Sequence, residues 1–300
     1  MDKPPVCDYE GSDYQKTFWD SGGREYEDRS EALAIRRLFP KKGRLLLEVG
    51  AGAGRNTLRY GEYDRIVLLD YSLTQLQQAR GRLGKSDRFL FVAANVYQLP
   101  FVAGLFDAAT MIRTLHHLAD PSLALREVRR VLEPDSPFLL EYANKLNLKS
   151  ILRFLLRRQS WSPFTPDPVE YLPLNFDFHP ARIRTWLATS GFSIVGQATV
   201  SHFRIGWLKR AVPAGLLAWL DFFLGYTGGL FQLTPSVFLL AKSNRTGSER
   251  PSGFFQCPIC RSSDLTEVAK AGSKFLKCGN CHRKFPIRDG IYDFKESLSG

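Results

Sequence analysis

The chain has 300 residues, of which 44% are hydrophobic, and 41 Lys and Arg against 30 Asp and Glu give it a net charge of +11. This length accommodates one large domain and a small one, with a core that needs no disulfide support. No run of about 18 apolar residues occurs, which excludes an evident membrane-spanning helix. The positive charge favours non-specific association with nucleic acid or an anionic membrane surface, but it identifies no site.

Five cysteines are unevenly placed: Cys7 stands alone and four others lie close together near the C-terminus. A secreted disulfide framework would distribute them differently and usually follows a signal peptide, and the N-terminal residues contain no apolar run of that kind. We therefore expect a cytoplasmic protein in a reducing compartment.

In chain order, residues 1–29 are polar with interleaved aromatics and are predicted to form an arm, which either frays or covers a ligand. Ser30 is predicted to cap a helix that Pro40 ends. Short apolar runs then alternate with helical patterns, which predicts a parallel sheet covered on both faces. The predicted strands are 44–49, 66–69, 89–93, 106–112 and 137–142, and the predicted helices begin at 55 and cover 73–83 and 121–132.

Two insertions, 143–180 and 205–233, interrupt the second half of the chain, which otherwise predicts a helix over 181–190 and strands over 192–200 and 236–241. Both insertions exceed the usual length of a connection, so we expect each of them to form structure of its own. The Ser-, Arg-, Gly- and Pro-rich stretch 243–253 predicts a linker to a C-terminal segment, 254–300.

The stretch LLLEVGAGAGRNTL, residues 45–58, is typical of a strand, a tight turn and a helix start. Gly50, Gly52 and Gly54 permit positive φ angles and the close approach of a ligand. The loop lacks the Lys and Ser or Thr that a magnesium triphosphate requires. Glu48 immediately before it would repel a pyrophosphate but suits a cationic ligand.

Four motifs in order follow the pattern of a known family: EVGAGAGRN (48–56), IVLLDYS ending the second strand at Asp70, AANVYQLPF (93–101) and FDAATMIRTLHHLADP (106–121). With these motifs, residues 30–242 resemble the class I S-adenosylmethionine-dependent methyltransferases, specifically the type 11 family. The resemblance implies a Rossmann-like, mostly parallel sheet with an antiparallel last strand. It also implies that the two insertions, 143–180 and 205–233, form a cap over the methyl acceptor. It assigns S-adenosylmethionine binding to Glu48, Gly50, Ala51, Gly52, Gly54, Asn56, Asp70, Tyr71, Asn95, Val96 and Arg113.

Two of these residues have a chemical rationale of their own. A carboxylate at a strand's C-terminal end, such as Asp70, can accept two hydrogen bonds from a cis-diol, and ligands of such sheets bind at that edge. Asn95 stands where the family usually has an acid, and its amide oxygen could still accept a hydrogen bond from an adenine amine.

The chemical class of the methyl acceptor is predicted mainly from a motif that the chain lacks. After the fourth strand the chain has Arg113 to His117 in place of the Asn- or Asp-Pro-Pro-aromatic motif of amino-group methyltransferases, which disfavours amine methylation. His116 or His117 could act as a general base, or His117 could pack against the donor. We expect transfer to oxygen or carbon of a small, hydrophobic acceptor. The apolar run of 205–233 indicates a lipid or quinone pocket, contact with a membrane surface, a self-packed cap or a homodimer contact.

Two Cys-x-x-Cys pairs, separated by seventeen residues, predict a structural zinc site with all four positions filled by protein. The ligands are Cys257, Cys260, Cys278 and Cys281. The text CPIC, CxxC and FPIRDGIYDF resembles zinc-ribbon activator subunits of tRNA, rRNA and release-factor methyltransferases. The resemblance implies either a stabiliser or a substrate-recruiting module. RNA methylation is therefore the alternative function, and a non-catalytic scaffold that binds the cofactor or a partner protein is a third.

Overall fold

The computed structural model describes residues 4–229, 231–247, 252–270, 272–295 and 297. Parts of the predicted arm, second insertion, linker and ribbon lie outside the described residues.

The first half of the chain alternates strands and helices, as the sequence predicts. Its elements are α1 (Glu25–Leu38), β1 (Lys42–Val49), β2 (Glu62–Asp70), α2 (Leu73–Leu83), β3 (Phe89–Ala93), β4 (Ala108–Met111), α3 (Pro121–Val131) and β5 (Pro137–Ala143). Helix α2 begins where expected because the Ser72 hydroxyl accepts a hydrogen bond from the backbone N–H of Gln75.

The second half contains both insertions and the C-terminal segment. Its elements are α4 (Leu148–Leu155), β6 (Val169–Leu172), β7 (Asn175–Asp177), α5 (Pro180–Thr189), β8 (Phe192–Val200), α6 (Gly206–Ala211), α7 (Ala214–Leu224), β9 (Ser236–Ser243), β10 (Leu265–Lys270), β11 (Ser273–Cys278), β12 (Lys284–Arg288) and β13 (Ile291–Asp293). Among the described residues, no helix has the length and apolar character to cross a membrane.

Eleven strands form one sheet in the order β10-β11-β12-β13-β3-β2-β1-β4-β5-β9-β8. Strands β3, β2, β1, β4 and β5 are parallel, whereas β9 is antiparallel to both of its neighbours. The central strands are buried on both faces, with Leu46 and Leu47 of β1 fully enclosed. The predicted fold class, a Rossmann-like sheet with an antiparallel last strand, is confirmed.

Two predicted helix starts are wrong. The residues after the glycine loop form only a 3₁₀ turn, Thr57–Arg59, because Gly54 has a φ of +72° and the chain turns back toward β2. Helix α1 begins at Glu25 instead of Ser30, and three acidic side chains in its first turn complement the helix dipole. Ser30 is consequently a buried residue in the middle of α1.

Strands β10 to β13 of the C-terminal segment pair in antiparallel order and form a small ribbon at the edge of the main sheet. Strand β13 pairs in parallel with β3, and the backbone N–H of Phe294 donates to the carbonyl of Ala93 at 2.7 Å. The rings of Phe255 and Phe101 stack with centroids 5.9 Å apart. The ribbon therefore covers the otherwise open edge of β3 and shares the core of the larger domain.

Candidate functional site

The glycine loop follows β1 and is held against the two neighbouring strands. Gly50 has a φ of +69°, and a Cβ on it would lie 2.0 Å from the Thr114 hydroxyl oxygen, so no other residue fits there. The backbone N–H groups of Gly50 and Ala51 both donate to the carbonyl of Leu69, at 2.8 and 3.0 Å. These bonds fix the loop at the carboxyl edge of the sheet.

Glu48, the last acid before this loop, is buried at 5% exposure. Its carboxylate accepts a hydrogen bond from the Thr57 hydroxyl at 2.6 Å. Burial raises the pKa of Glu48 to about 7, and the nearby guanidinium groups of Arg55 and Arg59 only partly oppose this rise. A cation placed beside Glu48 would stabilise its ionised form.

Asp70 ends β2 on the same edge of the sheet. Its two carboxylate oxygens accept hydrogen bonds from the backbone N–H groups of Gly52, at 2.8 Å, and Ser72, at 2.9 Å. Burial raises the pKa of Asp70, and the amide hydrogen bonds oppose that rise. The carboxylate is therefore fixed in orientation, and each oxygen keeps a further lone pair for a ligand hydroxyl.

These elements enclose one cavity, the donor cavity, which is lined by residues from the loop, the strand ends and the N-terminal arm. Ten of the residues that the sequence associates with the site meet here: Glu48, Gly50, Ala51, Gly52, Asn56, Asp70, Tyr71, Val96, Arg113 and His117.

Three predicted residues do not line the donor cavity. A Cβ on Gly54 would lie 3.2 Å from the Leu83 side chain, so this glycine provides close packing against α2. The amide oxygen of Asn95 accepts the backbone N–H of Tyr97 at 2.9 Å and caps the following 3₁₀ turn. The same oxygen keeps a second lone pair, so the expected contact of Asn95 with adenine stays a prediction. His116 faces the neighbouring cavity described below.

The described part of the N-terminal arm packs over the donor cavity and is not frayed there, whereas its covering of a ligand stays a prediction. Its lining residues include Cys7, Tyr9, Tyr14 and Trp19. The Trp19 ring lies 3.6 Å from the guanidinium carbon of Arg55, a cation–π contact that holds this end of the arm. Interleaved aromatics were the signal in the sequence, but periodicity does not specify which surface they cover.

His117 lies in a hydrogen-bonded chain with the arm. Its Nδ1 is 3.1 Å from the carbonyl oxygen of Leu174, and its Nε2 is 3.1 Å from the hydroxyl of Tyr9. Because a carbonyl only accepts, Nδ1 carries the proton and the Tyr9 hydroxyl donates to Nε2. Burial lowers the pKa of His117 and raises that of Tyr9, so both side chains are neutral near pH 7.

A second cavity, the acceptor cavity, adjoins the first and shares with it Tyr9, Tyr14, Arg113 and His117. Its lining is polar and charged and draws on the first insertion. The polar members not shared with the donor cavity are Arg24, His116, Glu141, Asn144, Asn147, Tyr171, Asn175, Asp177 and Arg204. Among the described residues of the second insertion, 205–229 and 231–233, none lines either of these two cavities.

Two groups in the acceptor cavity have unusual environments. The Nδ1 atom of His116 is buried and has no hydrogen-bond partner among the described residues, and burial lowers the pKa of this imidazole well below its usual value. Burial raises the pKa of Asp177 to about 6 against the attraction of Arg204. Asp177 comes from the β6–β7 hairpin, which sequence reasoning missed. Pro173 and Asn175, flanking apolar residues, were the available turn signal.

Arg113 is held in the left-handed region, with a φ of 60°. Its backbone N–H donates to the Glu141 carboxylate at 3.0 Å, and its guanidinium donates two bonds to Glu31, at 2.8 and 2.6 Å. Glu31 also accepts from Arg55 and is fully buried, and the two guanidiniums lower its pKa to about 2. The charge of Arg113 is therefore compensated by Glu31. Because these hydrogen bonds fix both its backbone and its side chain, Arg113 is a rigid part of the lining of both cavities.

The four C-terminal cysteines form a separate cluster. Their sulfur atoms all lie within 4.8 Å of one another. The Cys257–Cys281 and Cys260–Cys278 sulfur pairs are 3.6 and 3.5 Å apart. Tetrahedral zinc with bonds of about 2.3 Å would place its sulfurs roughly 3.8 Å apart, so the spacing fits that ion.

Comparison with known sequences gives the class of this site. Residues 47–140 match the methyltransferase domain family. A demethylmenaquinone methyltransferase from Clavibacter sepedonicus is 26% identical over 60% of this chain and 78% of its own length. The ubiquinone/menaquinone biosynthesis C-methyltransferase UbiE from Hahella chejuensis is 31% identical over 48% and 64%. The 27-O-demethylrifamycin SV methyltransferase from Amycolatopsis mediterranei is 27% identical over 41% and 48%.

Solved structures agree on the fold. A methyltransferase from Thermotoga maritima superposes with a TM-score of 0.53 at 17% identity, over 77% of this chain and 94% of its own. A chain from the complex of the Haloferax volcanii Trm112 activator with a methyltransferase gives 0.52 at 17% identity, over 78% and 98%. The fold is therefore that of the Rossmann-like methyltransferases. Together with the domain match and the relatives, it identifies this chain as an S-adenosylmethionine-dependent methyltransferase.

Proposed function

We propose that the enzyme transfers a methyl group from S-adenosylmethionine to an oxygen or carbon atom of a small hydroxylated molecule in the acceptor cavity. The observation that supports this proposal most directly is that the two cavities adjoin each other and that Tyr9 and His117 line both of them. Methyl transfer is an in-line displacement, so a protein contributes chiefly by holding donor and acceptor on either side of such a junction and excluding water.

The residues of the donor cavity fit the cofactor. The orientation of Asp70, fixed by two backbone amides, suits a ribose diol. Glu48 is a buried acid that a cationic amine would stabilise, and Gly50 and Gly52 line the cavity with backbone alone. When bound, S-adenosylmethionine supplies an electrophilic methyl group on a sulfonium. The aromatic arm over the cavity excludes water.

His117 is the residue proposed to accept the acceptor's proton. Its Nδ1 proton is held by the Leu174 carbonyl, so Nε2 is free to accept from a hydroxyl that replaces Tyr9. Asp177 provides a second proton acceptor in the acceptor cavity, because a carboxyl with a pKa of about 6 is largely ionised at pH 7. Deprotonating a phenolic hydroxyl makes both its oxygen and the adjacent ring carbons nucleophilic.

The names of the relatives support this acceptor class, since they act on demethylmenaquinone, on ubiquinone or menaquinone precursors, or on a demethylated rifamycin. The sequence predicts a hydrophobic acceptor, but the cavity adds a condition. The reacting end of the acceptor must be polar enough to fit a cavity lined by Asp177, Arg204 and three asparagines. An apolar remainder would have to extend outside it.

For the ribbon we propose one structural zinc on the four cysteines, with a stabilising role. Four of its eight basic residues pair with acids of the same chain: Arg261 with Glu127, Lys274 with Glu267, Arg288 with Asp293 and Lys295 with Glu10. This internal pairing leaves less charge for RNA and favours a stabilising module over a recruiting one.

Calorimetry with S-adenosylhomocysteine tests the donor cavity. Asp70→Ala should weaken binding at least tenfold, because hydrogen bonds to charged groups are worth about 1.5–3 kcal/mol each. Asp64→Ala, an exposed acid on the same strand, is the matched control and should bind like the wild type. Equal affinity of all three proteins would overturn the assignment.

Transfer of a labelled methyl group then tests the acceptor. We expect label in a panel of phenols and quinols and none in total RNA. Label in RNA alone, abolished by chelating the zinc, would favour the alternative function and refute ours.

A further inference from the structure

Helix α7 turns an apolar stripe toward solvent. Leu216, Trp219, Leu220 and Phe223 recur at helical spacing and are 37–55% exposed. The opposite side of the helix, with Leu217 and Ala218, is buried together with Tyr26 of α1. Helix α7 therefore packs with one face and leaves an equally apolar face uncovered among the described residues.

Helix α4 of the first insertion also exposes an apolar stripe to solvent. Leu148, Leu152 and Leu155 lie at helical spacing and are 49–65% exposed. The two helices are connected through the segment after α7, since the backbone N–H of Leu148 donates to the carbonyl of Leu233 at 2.8 Å. We call these exposed residues, with Phe231 and Leu233, the outer apolar surface. Nine exposed large apolar side chains on two linked segments are more than the scattered single ones that a protein surface normally carries.

Cations prevail around this surface. Residues 144–166 contain no acid; of their five basic residues Lys145 is buried, and the other four are exposed: Lys149, Arg153, Arg157 and Arg158. Residues 203–234 contain three basic residues and a single acid, Asp221, but Arg204 and Lys209 are paired with Glu27, which leaves Arg210. Asp221 is buried and accepts a hydrogen bond from the Tyr26 hydroxyl at 3.0 Å, so it does not offset the exposed cations. Lys149 and Arg153 are exposed on α4, beside its apolar stripe.

We propose that the outer apolar surface docks on an anionic lipid bilayer, with α4 and α7 lying in the interface. Apolar side chains would enter the headgroup region while the flanking Lys and Arg contact lipid phosphates. A second copy of the chain is a poorer occupant, because an isologous contact through α4 would bring Lys149 and Arg153 of both copies together. This inference does not depend on the proposed methyl acceptor.

Sedimentation of the full chain with vesicles tests the proposal. Phosphatidylcholine vesicles with and without phosphatidylglycerol are compared at fixed salt, and the emission of exposed Trp207 and Trp219 reports insertion. Trp219→Ser/Phe223→Ser should reduce binding at least tenfold. Leu58→Ser, which removes an exposed apolar side chain outside the surface, should leave binding unchanged.

Two charge-reversal variants distinguish an effect of the cations on α4 from an effect of the net charge of the protein. Lys149→Glu/Arg153→Glu should lose at least tenfold of the binding to anionic vesicles. Lys270→Glu/Lys277→Glu, with the same change in charge on the exposed ribbon, should bind nearly as the wild type does. The proposal is overturned if wild-type protein ignores both vesicle types, if both charge variants lose binding equally, or if light scattering shows a dimer that Trp219→Ser/Phe223→Ser disrupts.

Discussion

The buried acid beside the glycine loop should make the stability of the ligand-free enzyme depend on pH. Glu48 is almost inaccessible to solvent, and its one side-chain hydrogen bond comes from the Thr57 hydroxyl. Glu48→Gln keeps the shape and an acceptor for that hydroxyl but cannot ionise. The comparison of Glu48→Gln with wild type therefore isolates the cost of ionising a carboxyl in this position.

The magnitude follows from the pKa of Glu48, which burial raises from 4.5 to about 7. A raised folded-state pKa contributes stability that is fully present below pH 4.5 and is lost as pH rises through 7. At 1.36 kcal/mol per pH unit, wild type should lose about 2–3 kcal/mol relative to Glu48→Gln between pH 5 and pH 8.

Urea unfolding at pH 5, 6, 7 and 8 measures this difference directly. Glu62→Gln, an exposed carboxyl at the start of β2, is the matched control and should follow the wild type throughout. S-adenosylmethionine carries an ammonium group, so saturating cofactor should reduce the slope by favouring the ionised form of Glu48.

Parallel stability curves for wild type and Glu48→Gln would contradict the reasoning, because they would mean that Glu48 ionises as easily in the folded as in the unfolded chain. If wild type instead lost stability relative to Glu48→Gln as the pH falls, the pKa of Glu48 would be lowered in the folded chain, as expected for a carboxylate paired with a cation.

Three further predictions concern other parts of the molecule. His117→Asn should lower kcat by about 10²–10⁴ while leaving cofactor affinity intact, and the acid limb of the wild-type pH profile should lie below 6.5. Glu31→Gln leaves two buried guanidiniums undercompensated and should cost about 3–5 kcal/mol in urea unfolding, a loss that shrinks as pH falls from 4.5 toward 2. Native mass spectrometry should find one zinc per chain, and Cys278→Ser should abolish it and lower Tm; a metal-free, stable wild type would contradict the zinc site.

The sequence alone was sufficient for the alternation of strands and helices, for the glycine loop and for the position of Asp70. These features depend on short-range chemistry: hydrophobic period, positive φ at glycine and the helix cap at Ser72. The four cysteines are equally local, because two tight turns bring each pair together. Asn95 shows the limit of such reasoning, since its residue type suggested a ligand contact but did not reveal that its amide oxygen also caps the following 3₁₀ turn.

Tertiary structure decided what meets across long sequence separations. Tyr9 reaches His117, and Asp177 reaches the cavity beside it, because the arm and a hairpin both fold over the carboxyl edge of the sheet. The pairing of β13 with β3 makes the ribbon part of the sheet, which no local pattern encodes. The outward stripe of α7 is likewise a property of packing: an apolar helix shows which face it buries only when its neighbour α1 is in place.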